Sequence, residues 1–376
     1  MVKKLKNMVC GVLVAAVSVA FTGLLLLYIL FGSGIQRAQV QNESADVAVG
    51  DRFGMYITNR FSTALEGILD IKKVYWLRDD DLIAPAPDRS NYGTSEDANS
   101  LGWLLEDAQQ ILDGQQTLFS TDAELPANTC VTYYLDETIF VVTWKQAING
   151  TMYTISEVKI QHPSQFRRFL SGGTFGSGIQ LKASEMADSV NAVVASSGDF
   201  YAHRRMGISV YNGTVHRVKS EYLDTCYIDE NGDMRFSFRK ELKNVEQAQA
   251  FVDENHIRFS LAFGPALIQD GERCKLSEYA IGDIPEPHSR AALCQMGPLH
   301  YLLVTAGVEN DCGKMVNIFT FQDVLMSFGC QHAYNLDGGQ TAVIIMNDTV
   351  MNRISYNQER DVSDIIYFAT ALPSQE

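Results

Sequence analysis

The chain reads Tyr334-Asn335-Leu336-Asp337-Gly338-Gly339-Gln340-Thr341 where an apolar, strand-like segment ends. An aspartate followed by two glycines predicts a tight turn. In such a turn backbone N–H groups and one carboxylate can approach a ligand closely, because glycine has no side chain to block them. Many Asp-Gly-Gly turns are plain loops, so the interpretation depends on what accompanies this one along the chain.

Four further segments accompany the turn in a fixed order. They are Ser197-Gly198-Asp199-Phe200-Tyr201, Gly264-Pro265-Ala266-Leu267, His288-Ser289-Arg290-Ala291-Ala292 and, after the turn, Arg360-Asp361-Val362-Ser363-Asp364-Ile365-Ile366. Together with the turn they resemble the signatures of the phosphodiester glycosidase family. The resemblance covers about residues 150–372. It implies a hydrolase that cuts the bond between an anomeric carbon and a phosphate oxygen.

The resemblance implies three catalytic residues. Arg290 is the candidate for holding the phosphate, because the planar guanidinium donates two parallel hydrogen bonds to such a group. Asp199 and Asp337 are the candidates for the anomeric centre, where an oxocarbenium-like transition state needs carboxylates. The division of roles between the two acids stays open, as does the choice between retention and inversion.

Further residues are expected to bind the substrate. Gly338 and Gly339 would donate backbone N–H groups to phosphate or sugar oxygens, Thr341 would add a hydroxyl, and Gly198 would allow close backbone approach. The remaining candidates are His203, His288 and Arg360, the last as a brace for the Asp-Gly-Gly turn. Asp199, Asp337 and neighbouring carbonyls could hold a divalent cation as hard oxygen ligands, but no spacing requires one, and no other cofactor is predicted.

The chain departs from the family pattern at three places. Gln340 stands where the family has a third glycine, and Ser289 where it has a proline. Relatives carry Asp-Gly-Arg after the strand that corresponds to residues 301–304, whereas this chain reads Thr305-Ala306-Gly307-Val308. If that acid and arginine bind phosphate or metal, their loss predicts altered specificity or no turnover.

Two functions therefore stay open. The first is hydrolysis of a sugar-1-phosphodiester in an extracellular glycan, polysaccharide or wall polymer. The second is a non-catalytic glycan-binding or envelope-assembly module that retains the fold. The formal net charge of −15 argues against nucleic acid as a partner, because phosphate backbones select basic surfaces.

The first residues of the chain predict a membrane anchor. Lys3, Lys4 and Lys6 precede residues 8–31, a run of 24 residues without a charge. At about 1.5 Å per residue this run covers the roughly 30 Å hydrocarbon core of a bilayer. We expect a single-pass signal-anchor helix with a cytoplasmic N-terminus and an extracytoplasmic C-terminal domain. A cleavable signal peptide is the alternative.

The rest of the chain predicts an α+β fold, a mixed, β-sheet-rich single domain with flanking helices. We expect a cytoplasmic tip and transmembrane helix over 1–31, a juxtamembrane stalk or accessory region over 32–128, and the phosphodiester glycosidase-like domain over 129–376. Apolar spacing predicts helices over 102–112 and over 319–329, the second with Thr320 as its N-cap. Six cysteines outside the hydrophobic run permit disulfides or buried free thiols.

Overall fold

The computed structural model describes residues 83–121, 129–276 and 286–372. These residues belong to the compact unit Val74–Glu376. The predicted transmembrane helix over 8–31 lies outside the described residues, as does the predicted stalk up to residue 82. Within the three described ranges, no helix has the length and apolar character needed to cross a membrane.

Strands dominate the described part of the chain. They are β1 (Tyr92–Ser95), β2 (Val131–Leu135), β3 (Ile139–Ile148), β4 (Thr151–Ile160), β5 (Phe166–Leu170), β6 (Leu181–Lys182), β7 (Val194–Ser197), β8 (Gly207–Tyr211), β9 (Thr214–Lys219), β10 (Thr225–Asp229), β11 (Met234–Ser237), β12 (Ile257–Leu261), β13 (Ala266–Gln269), β14 (Glu272–Arg273), β15 (Arg290–Gly297), β16 (His300–Gly307), β17 (His332–Leu336), β18 (Ile344–Met346), β19 (Thr349–Val350), β20 (Asp361–Val362) and β21 (Asp364–Phe368).

The helices are few and short. They are α1 (Gly102–Asp107), α2 (Gln109–Leu112), α3 (Leu118–Thr121), α4 (Ala183–Ser189), α5 (Tyr201–Arg204), α6 (Val245–Glu254) and α7 (Ile318–Ser327). Two 3₁₀ turns, Gly339–Thr341 and Ser355–Asn357, matter for the site. This preponderance of strands with a few helices confirms the predicted α+β class.

A nine-stranded sheet forms the centre of the fold, in the order β1-β2-β3-β4-β16-β15-β17-β13-β14. Two five-stranded sheets accompany it, one in the order β11-β10-β12-β8-β9 and one in the order β19-β18-β7-β21-β5, and β20 pairs with β6. All of these described pairings are antiparallel.

Helices cover one face of the nine-stranded sheet. Leu104 and Ile111 from α1 and α2, and Phe321 from α7, are buried in one cluster with Val142 and Cys294 of the sheet. The apolar spacing over 102–112 thus produces a helical face as predicted, divided between α1 and α2. The described residues of the predicted stalk region therefore contribute β1 to the sheet edge and three helices, α1, α2 and α3, to this core.

The two five-stranded sheets contribute to the core on the other face. Leu293 and Leu303 of the nine-stranded sheet share a buried cluster with Val194 and Ile366 from one small sheet and with Phe259 from the other. Burying such aliphatic and aromatic side chains stabilises the fold by about 1.5–3 kcal/mol for each fully buried residue. The core therefore holds three sheets together, and the loops at their ends can meet.

The register of β15 and β17 brings two signature segments to one edge of the large sheet. Ala291 is paired with Leu336, and Arg290 with Ala306 of the neighbouring strand. Asp337 follows Leu336 directly, so it lies opposite Arg290 where the two antiparallel strands end. The Asp-Gly-Gly turn and the His-Ser-Arg segment are neighbours for this reason.

The end of β7, in the five-stranded sheet that also contains β21, lies next to the Asp-Gly-Gly turn. Ser197 is paired with Ile365 of β21, and its hydroxyl donates a hydrogen bond to the carbonyl of Thr341. The loop that begins at Gly198 therefore starts next to the loop that follows Asp337.

Helix α7 corrects one local prediction. Its N-cap is Asn317, whose side chain accepts a hydrogen bond from the backbone N–H of Thr320 at 2.8 Å, so the predicted N-cap at Thr320 is wrong. Asn317 has extended backbone angles and an oxygen that reaches three residues ahead, which is what an N-cap requires.

The cysteines of the described residues are free thiols: Cys130, Cys226, Cys274, Cys294, Cys312 and Cys330.

Candidate active site

Asp337 lies at the centre of the candidate site. Its Oδ2 atom is 3.1 Å from Nη2 of Arg360, and its Oδ1 atom accepts a hydrogen bond from the N–H of Gly338 at 3.0 Å. The Asp337 side chain keeps 12% of its surface exposed and that of Arg360 keeps 44%, so both are accessible from solvent. A partly buried carboxylate beside an accessible guanidinium is an arrangement that can bind an anionic ligand.

The pKa of Asp337 is raised above its ordinary value. Burial is the largest cause, because it disfavours the charged carboxylate. A hydrogen bond with Thr341, the charges of Arg360 and Arg204, and the N–H of Gly338 oppose that rise. The protonation of Asp337 is therefore sensitive to both neighbouring arginines.

Aromatic rings adjoin the Asp337–Arg360 pair. The guanidinium carbon of Arg360 lies 5.0 Å from the centre of the Phe200 ring, within the range of a cation–π contact. Phe200 is stacked on His203, with 4.5 Å between ring centres, and the His203 side chain faces solvent. Phe200 itself has a φ of 61°, a left-handed conformation that is uncommon for a bulky residue.

Arg204 is a residue of the site that the sequence analysis does not single out. Its Nη1 donates to the carbonyl of Phe263 at 2.9 Å, and its guanidinium carbon lies 4.2 Å from the centre of the Phe263 ring. The positive charge of Arg204 lowers the pKa of Asp337 and so opposes the effect of burial. The run His203-Arg204-Arg205 directly after the Asp-Phe-Tyr segment is the signal that could have found it. We call Asp337, Arg360, Arg204 and Phe200 together the Asp337 site.

The glycines of the turn bind the protein itself. A Cβ atom on Gly338 would lie 2.4 Å from the carbonyl oxygen of Ser289, and the N–H of Gly339 donates to that same oxygen at 3.0 Å. Thr341 is buried and its hydroxyl donates to the carbonyl of Gly338 at 2.7 Å. The group that closely approaches the backbone of Gly338 is therefore the Ser289 carbonyl. Substrate binding by Gly338, Gly339 and Thr341 stays a prediction.

Arg290 and His288 lie beside the turn through Ser289. Arg290 is buried, and it donates from Nη2 to the carbonyl of Glu286 at 2.7 Å and from Nε to that of Val316 at 3.4 Å. His288 exchanges backbone hydrogen bonds with Val316, at 3.1 and 3.2 Å. These contacts order the segment next to Asp337. Phosphate binding by Arg290 stays a prediction.

Asp199 is buried in an ion-pair triad beneath the loop that carries Phe200 and Arg204. Nη2 of Arg168 lies 2.8 Å from Oδ1 of Asp199 and 2.8 Å from Oδ2 of Asp364, and none of the three side chains is more than 2% exposed. The Asp199 carboxylate also accepts hydrogen bonds from the N–H groups of Tyr201 at 2.9 Å and Ala262 at 2.7 Å. The predicted contact of Asp199 with the anomeric centre stays a prediction.

The triad combines one guanidinium with two carboxyl groups, and this excess of acidic groups affects the pKa of Asp364. Burial raises the pKa of Asp364 to about 6, an effect that Arg168 opposes and that the charge of Asp199 adds to. Gly198 is required here for a steric reason, because a Cβ atom on it would lie 1.9 Å from Oδ2 of Asp364. The sequence analysis misses Arg168 and gives Asp364 no role, although charges inside the apolar strands β5 and β21 are a signal for a buried pair.

The described residues contain no group of three or more His, Cys, Asp or Glu side chains that could hold a metal ion. A cavity of about 1030 Å³ lies elsewhere, lined by Tyr222, Asp224 and Arg239 among others and by none of the predicted site residues. A space of about 10 Å³ lies between Ser289, Thr305 and Gly307, where the family's Asp-Gly-Arg would follow its strand. We place the candidate site at Asp337 because its ion pair with Arg360 and the adjoining Phe200 ring bring charged and aromatic groups together there.

Comparison with protein-family models supports the resemblance drawn from the sequence. Residues 190–369 match the family model described as phosphodiester glycosidase. Among solved structures, the chain is similar to the zebrafish N-acetylglucosamine-1-phosphodiester alpha-N-acetylglucosaminidase catalytic domain auto-inhibited by pro-peptide, at 15% identity and a TM-score of 0.48, over 61% of this chain and 82% of that chain.

Two further solved structures resemble it. One is a protein from Synechocystis, at 14% identity and a TM-score of 0.46, over 65% of this chain and 64% of that chain. The other is a protein from Burkholderia pseudomallei, at 12% identity and a TM-score of 0.41, over 58% of this chain and 74% of that chain. Comparison with curated proteins gives no match.

Proposed function

Because residues 190–369 match the phosphodiester glycosidase family, we propose that this protein hydrolyses a sugar-1-phosphodiester in an extracellular glycan, polysaccharide or wall polymer. The single observation that supports this most is the Asp337–Arg360 pair, 3.1 Å apart and open to solvent at the end of β17. It offers a carboxylate for a cationic transition state and a guanidinium for an anionic leaving group.

Asp337 acts at the anomeric carbon. The bond from that carbon to the bridging phosphate oxygen breaks, the electron pair leaves with the phosphate, and water supplies the hydroxyl that completes the sugar. The Asp337 carboxylate stabilises the oxocarbenium-like charge or takes the proton from the attacking water. The products are a free sugar, a phosphate monoester and one proton.

Arg360 and Arg204 bind the phosphate. A phosphodiester carries one negative charge, and the departing monoester gains another, so guanidinium groups close to it bind the transition state more tightly than the substrate. Arg360 is accessible and contacts Asp337, and Arg204 is close enough for its charge to act on the same carboxylate. Arg290, which donates to two backbone carbonyls, orders the neighbouring segment and is a further candidate.

Asp199 is a positioning residue in this proposal. Its carboxylate fixes the N–H of Tyr201 and the guanidinium of Arg168, and so holds the start of the loop that presents Phe200 and Arg204. Removing it would displace two members of the Asp337 site without removing a group that touches substrate.

A non-catalytic glycan-binding module is the second candidate. Ala306 lies opposite Arg290 in the sheet, at the place where the family carries Asp-Gly-Arg, and the N–H groups of Gly338 and Gly339 already donate to protein oxygens. The missing acid and arginine favour a site that binds a sugar phosphate without cutting it, and N–H groups that donate to the protein cannot also stabilise charge in a transition state.

The test incubates the purified full-length chain with a defined sugar-1-phosphodiester and measures free sugar and phosphate monoester. We expect release by the wild type, a loss of about 100-fold or more in Asp337→Asn, and full activity in the control Asp348→Asn. Asp348 is a matched control because its side chain is 46% exposed in a surface pair with Arg89. Binding without release by all three proteins would favour the module, and equal release by Asp337→Asn would refute the assignment.

We also propose that residues 8–31, outside the described residues, anchor the chain in the membrane with its C-terminal part extracytoplasmic. An uncleaved anchor predicts that the protein stays in the membrane fraction after an alkaline carbonate wash and keeps its N-terminal residues. A soluble product that begins after residue 31 would instead identify a cleaved signal peptide.

A further inference from the structure

Two buried cysteines lie next to each other on the face of the nine-stranded sheet that the helices cover. Cys294 is in β15 and has no exposed surface, and Cys330, which is 2% exposed, lies two residues before β17. Both belong to the same buried cluster, and their two thiols are within reach of a mutual hydrogen bond. The proposed hydrolysis uses neither thiol.

Strand pairing fixes the separation of the two cysteine backbones. Cys294 is paired with Ala333 of β17. Nearer to Cys330, the N–H of Gln331 donates to the carbonyl of Gln295 at 2.9 Å, so the residues that directly follow the two cysteines are hydrogen-bonded to each other. The side chains of the pair therefore meet in the register that the two strands already have.

The other described cysteines are placed differently. Cys226 and Cys274 belong to a different cluster, and Cys130 is exposed. Cys312 is paired through its backbone with Glu309, in the loop that follows β16. A single buried cysteine is explained as a small apolar side chain. Two buried thiols in contact also meet the first condition for a disulfide bond, which is closeness of the two side chains.

Burial makes this thiol pair unreactive in the folded protein. It raises the pKa of the Cys294 thiol, and the hydrogen bond with Cys330 adds to the rise. The thiolate is the form that attacks a disulfide, so the pair reacts slowly once the core has closed. A bond between the two sulfurs therefore has to form while the chain folds, when a disulfide donor still reaches both thiols.

We propose that Cys294 and Cys330 are joined by a disulfide bond when the chain folds in an oxidising compartment, such as the extracytoplasmic space proposed above. The bond cross-links β15 and β17 and closes a loop that contains β16 and α7. Arg290 begins β15 and Asp337 follows β17, so the cross-linked strands are the two that carry these signature residues. The inference is separate from the proposed hydrolysis, because bond formation is measured without a substrate.

The bond forms by thiol–disulfide exchange with a small disulfide donor such as oxidised glutathione. The thiolate of one cysteine attacks a donor sulfur, the S–S bond of the donor breaks, and one donor thiolate leaves with the electron pair. The second cysteine thiolate attacks the protein sulfur of this mixed disulfide and expels the other half of the donor. The two thiol protons pass to the departing thiolates. The protein loses two electrons, and the donor gains them.

The experiment synthesises the full-length chain in two cell-free reactions that contain detergent. One contains reduced and oxidised glutathione, and the other contains reduced glutathione alone. Free thiols are blocked with iodoacetamide, and the chain is digested with trypsin and a protease that cleaves after glutamate. Cleavage at Glu309 separates Cys294 from Cys312. Mass spectrometry should find one main linkage in the first reaction, between fragments 291–309 and 315–353, and none in the second.

Thermal unfolding tests whether the bond fits the fold. A cross-link that closes a loop of this length should raise Tm of the oxidised protein by about 5–10 °C over that of the reduced protein, because it restricts the unfolded chain. The double variant Cys294→Ala with Cys330→Ala should have the same Tm after both reactions. The control Cys312→Ala should keep the wild-type difference.

Two results would overturn the inference. Absence of the linkage in the glutathione mixture, or linkages spread over other cysteines, would show that the two thiols do not meet as the chain folds. A linked protein whose Tm is no higher than that of the reduced protein would show that the bond does not fit the native strand pairing. Neither result bears on the hydrolysis of a phosphodiester.

Discussion

The Nη2 atom of Arg360 lies 3.1 Å from the Oδ2 atom of Asp337. Asp337 follows β17 of the nine-stranded sheet, whereas Arg360 precedes β20, which pairs with β6 outside that sheet. The ion pair therefore joins segments from two parts of the fold, and the Phe200 ring adjoins it. Predictions about the site start from this pair.

Replacing Arg360 should lower activity and shift its pH dependence. We expect Arg360→Ala to reduce kcat/KM on a sugar-1-phosphodiester by about 10- to 100-fold, the range for a lost hydrogen bond to a charged group. Because Arg360 lowers the pKa of Asp337, its loss should also move the acidic limb of the pH–rate profile to higher pH. Arg89→Ala removes an exposed surface pair with Asp348 and is the control. An unchanged pH profile in Arg360→Ala would contradict the pairing.

Replacing Arg168 should destabilise the protein strongly. Arg168→Met leaves Asp199 and Asp364 buried without their shared partner, and breaking a buried pair in this way costs about 3–5 kcal/mol. The free energy of unfolding in urea measures this. The control Arg273→Met removes a pair with Asp323 in which both side chains are more than half exposed, and should change stability by less than about 1 kcal/mol. Equal effects of the two substitutions would show that the triad adds no stability.

The pKa of Asp364 predicts a specific pH dependence of stability. Its folded value of about 6 exceeds its ordinary value of 3.8, so between these limits the folded protein holds a proton that the unfolded chain releases. This contribution is complete below about pH 4 and is lost as the pH rises through about 6. The stability of the wild type relative to Asp364→Asn should therefore fall from pH 4.5 to pH 7.

Urea unfolding of both proteins at several pH values checks that slope. A constant difference between wild type and Asp364→Asn across this range would mean that the pKa of the carboxyl is not raised on folding.

A methyl group on Gly338 should disturb the turn. In Gly338→Ala the Cβ atom would meet the carbonyl oxygen of Ser289 at 2.4 Å, so one of two backbone segments must move. We expect a loss of about 1–3 kcal/mol in stability and a fall in activity. Gly102→Ala is the matched control, because no atom lies within 4 Å of its Cβ position and its backbone is helical. If Gly338→Ala had the stability of the control, the close approach of Ser289 would be refuted.

Much of the fold near the turn follows from local sequence. The apolar run before Asp337 and the two glycines after it predict a strand that ends in a tight turn, and β17 with the 3₁₀ turn Gly339–Thr341 forms there. Apolar residues at helical spacing over 102–112 identify the buried face of α1 and α2. Neighbouring residues determine these features, so a single sequence is enough to predict them.

Features that depend on distant partners could not be predicted in the same way. Arg168 and Asp364 are 196 positions apart and meet only because β5 pairs with β21. The close contact at Gly338 depends on a distant partner as well, because the backbone that approaches it belongs to Ser289, directly before the neighbouring strand β15. Such contacts depend on which distant strands pair, and neither segment alone specifies its partner strand. For this reason the sequence could not predict that Asp199 lies in a buried triad beneath the loop residues Phe200 and Arg204.

The position of bond cleavage tests the central claim most directly. The full-length wild type is incubated with a sugar-1-phosphodiester in water enriched in ¹⁸O, and the phosphate monoester is analysed by ³¹P NMR and mass spectrometry. If Asp337 serves the anomeric carbon, the carbon–oxygen bond breaks and the phosphate monoester contains no ¹⁸O. Incorporation of ¹⁸O into the phosphate would show attack at phosphorus and would contradict the account.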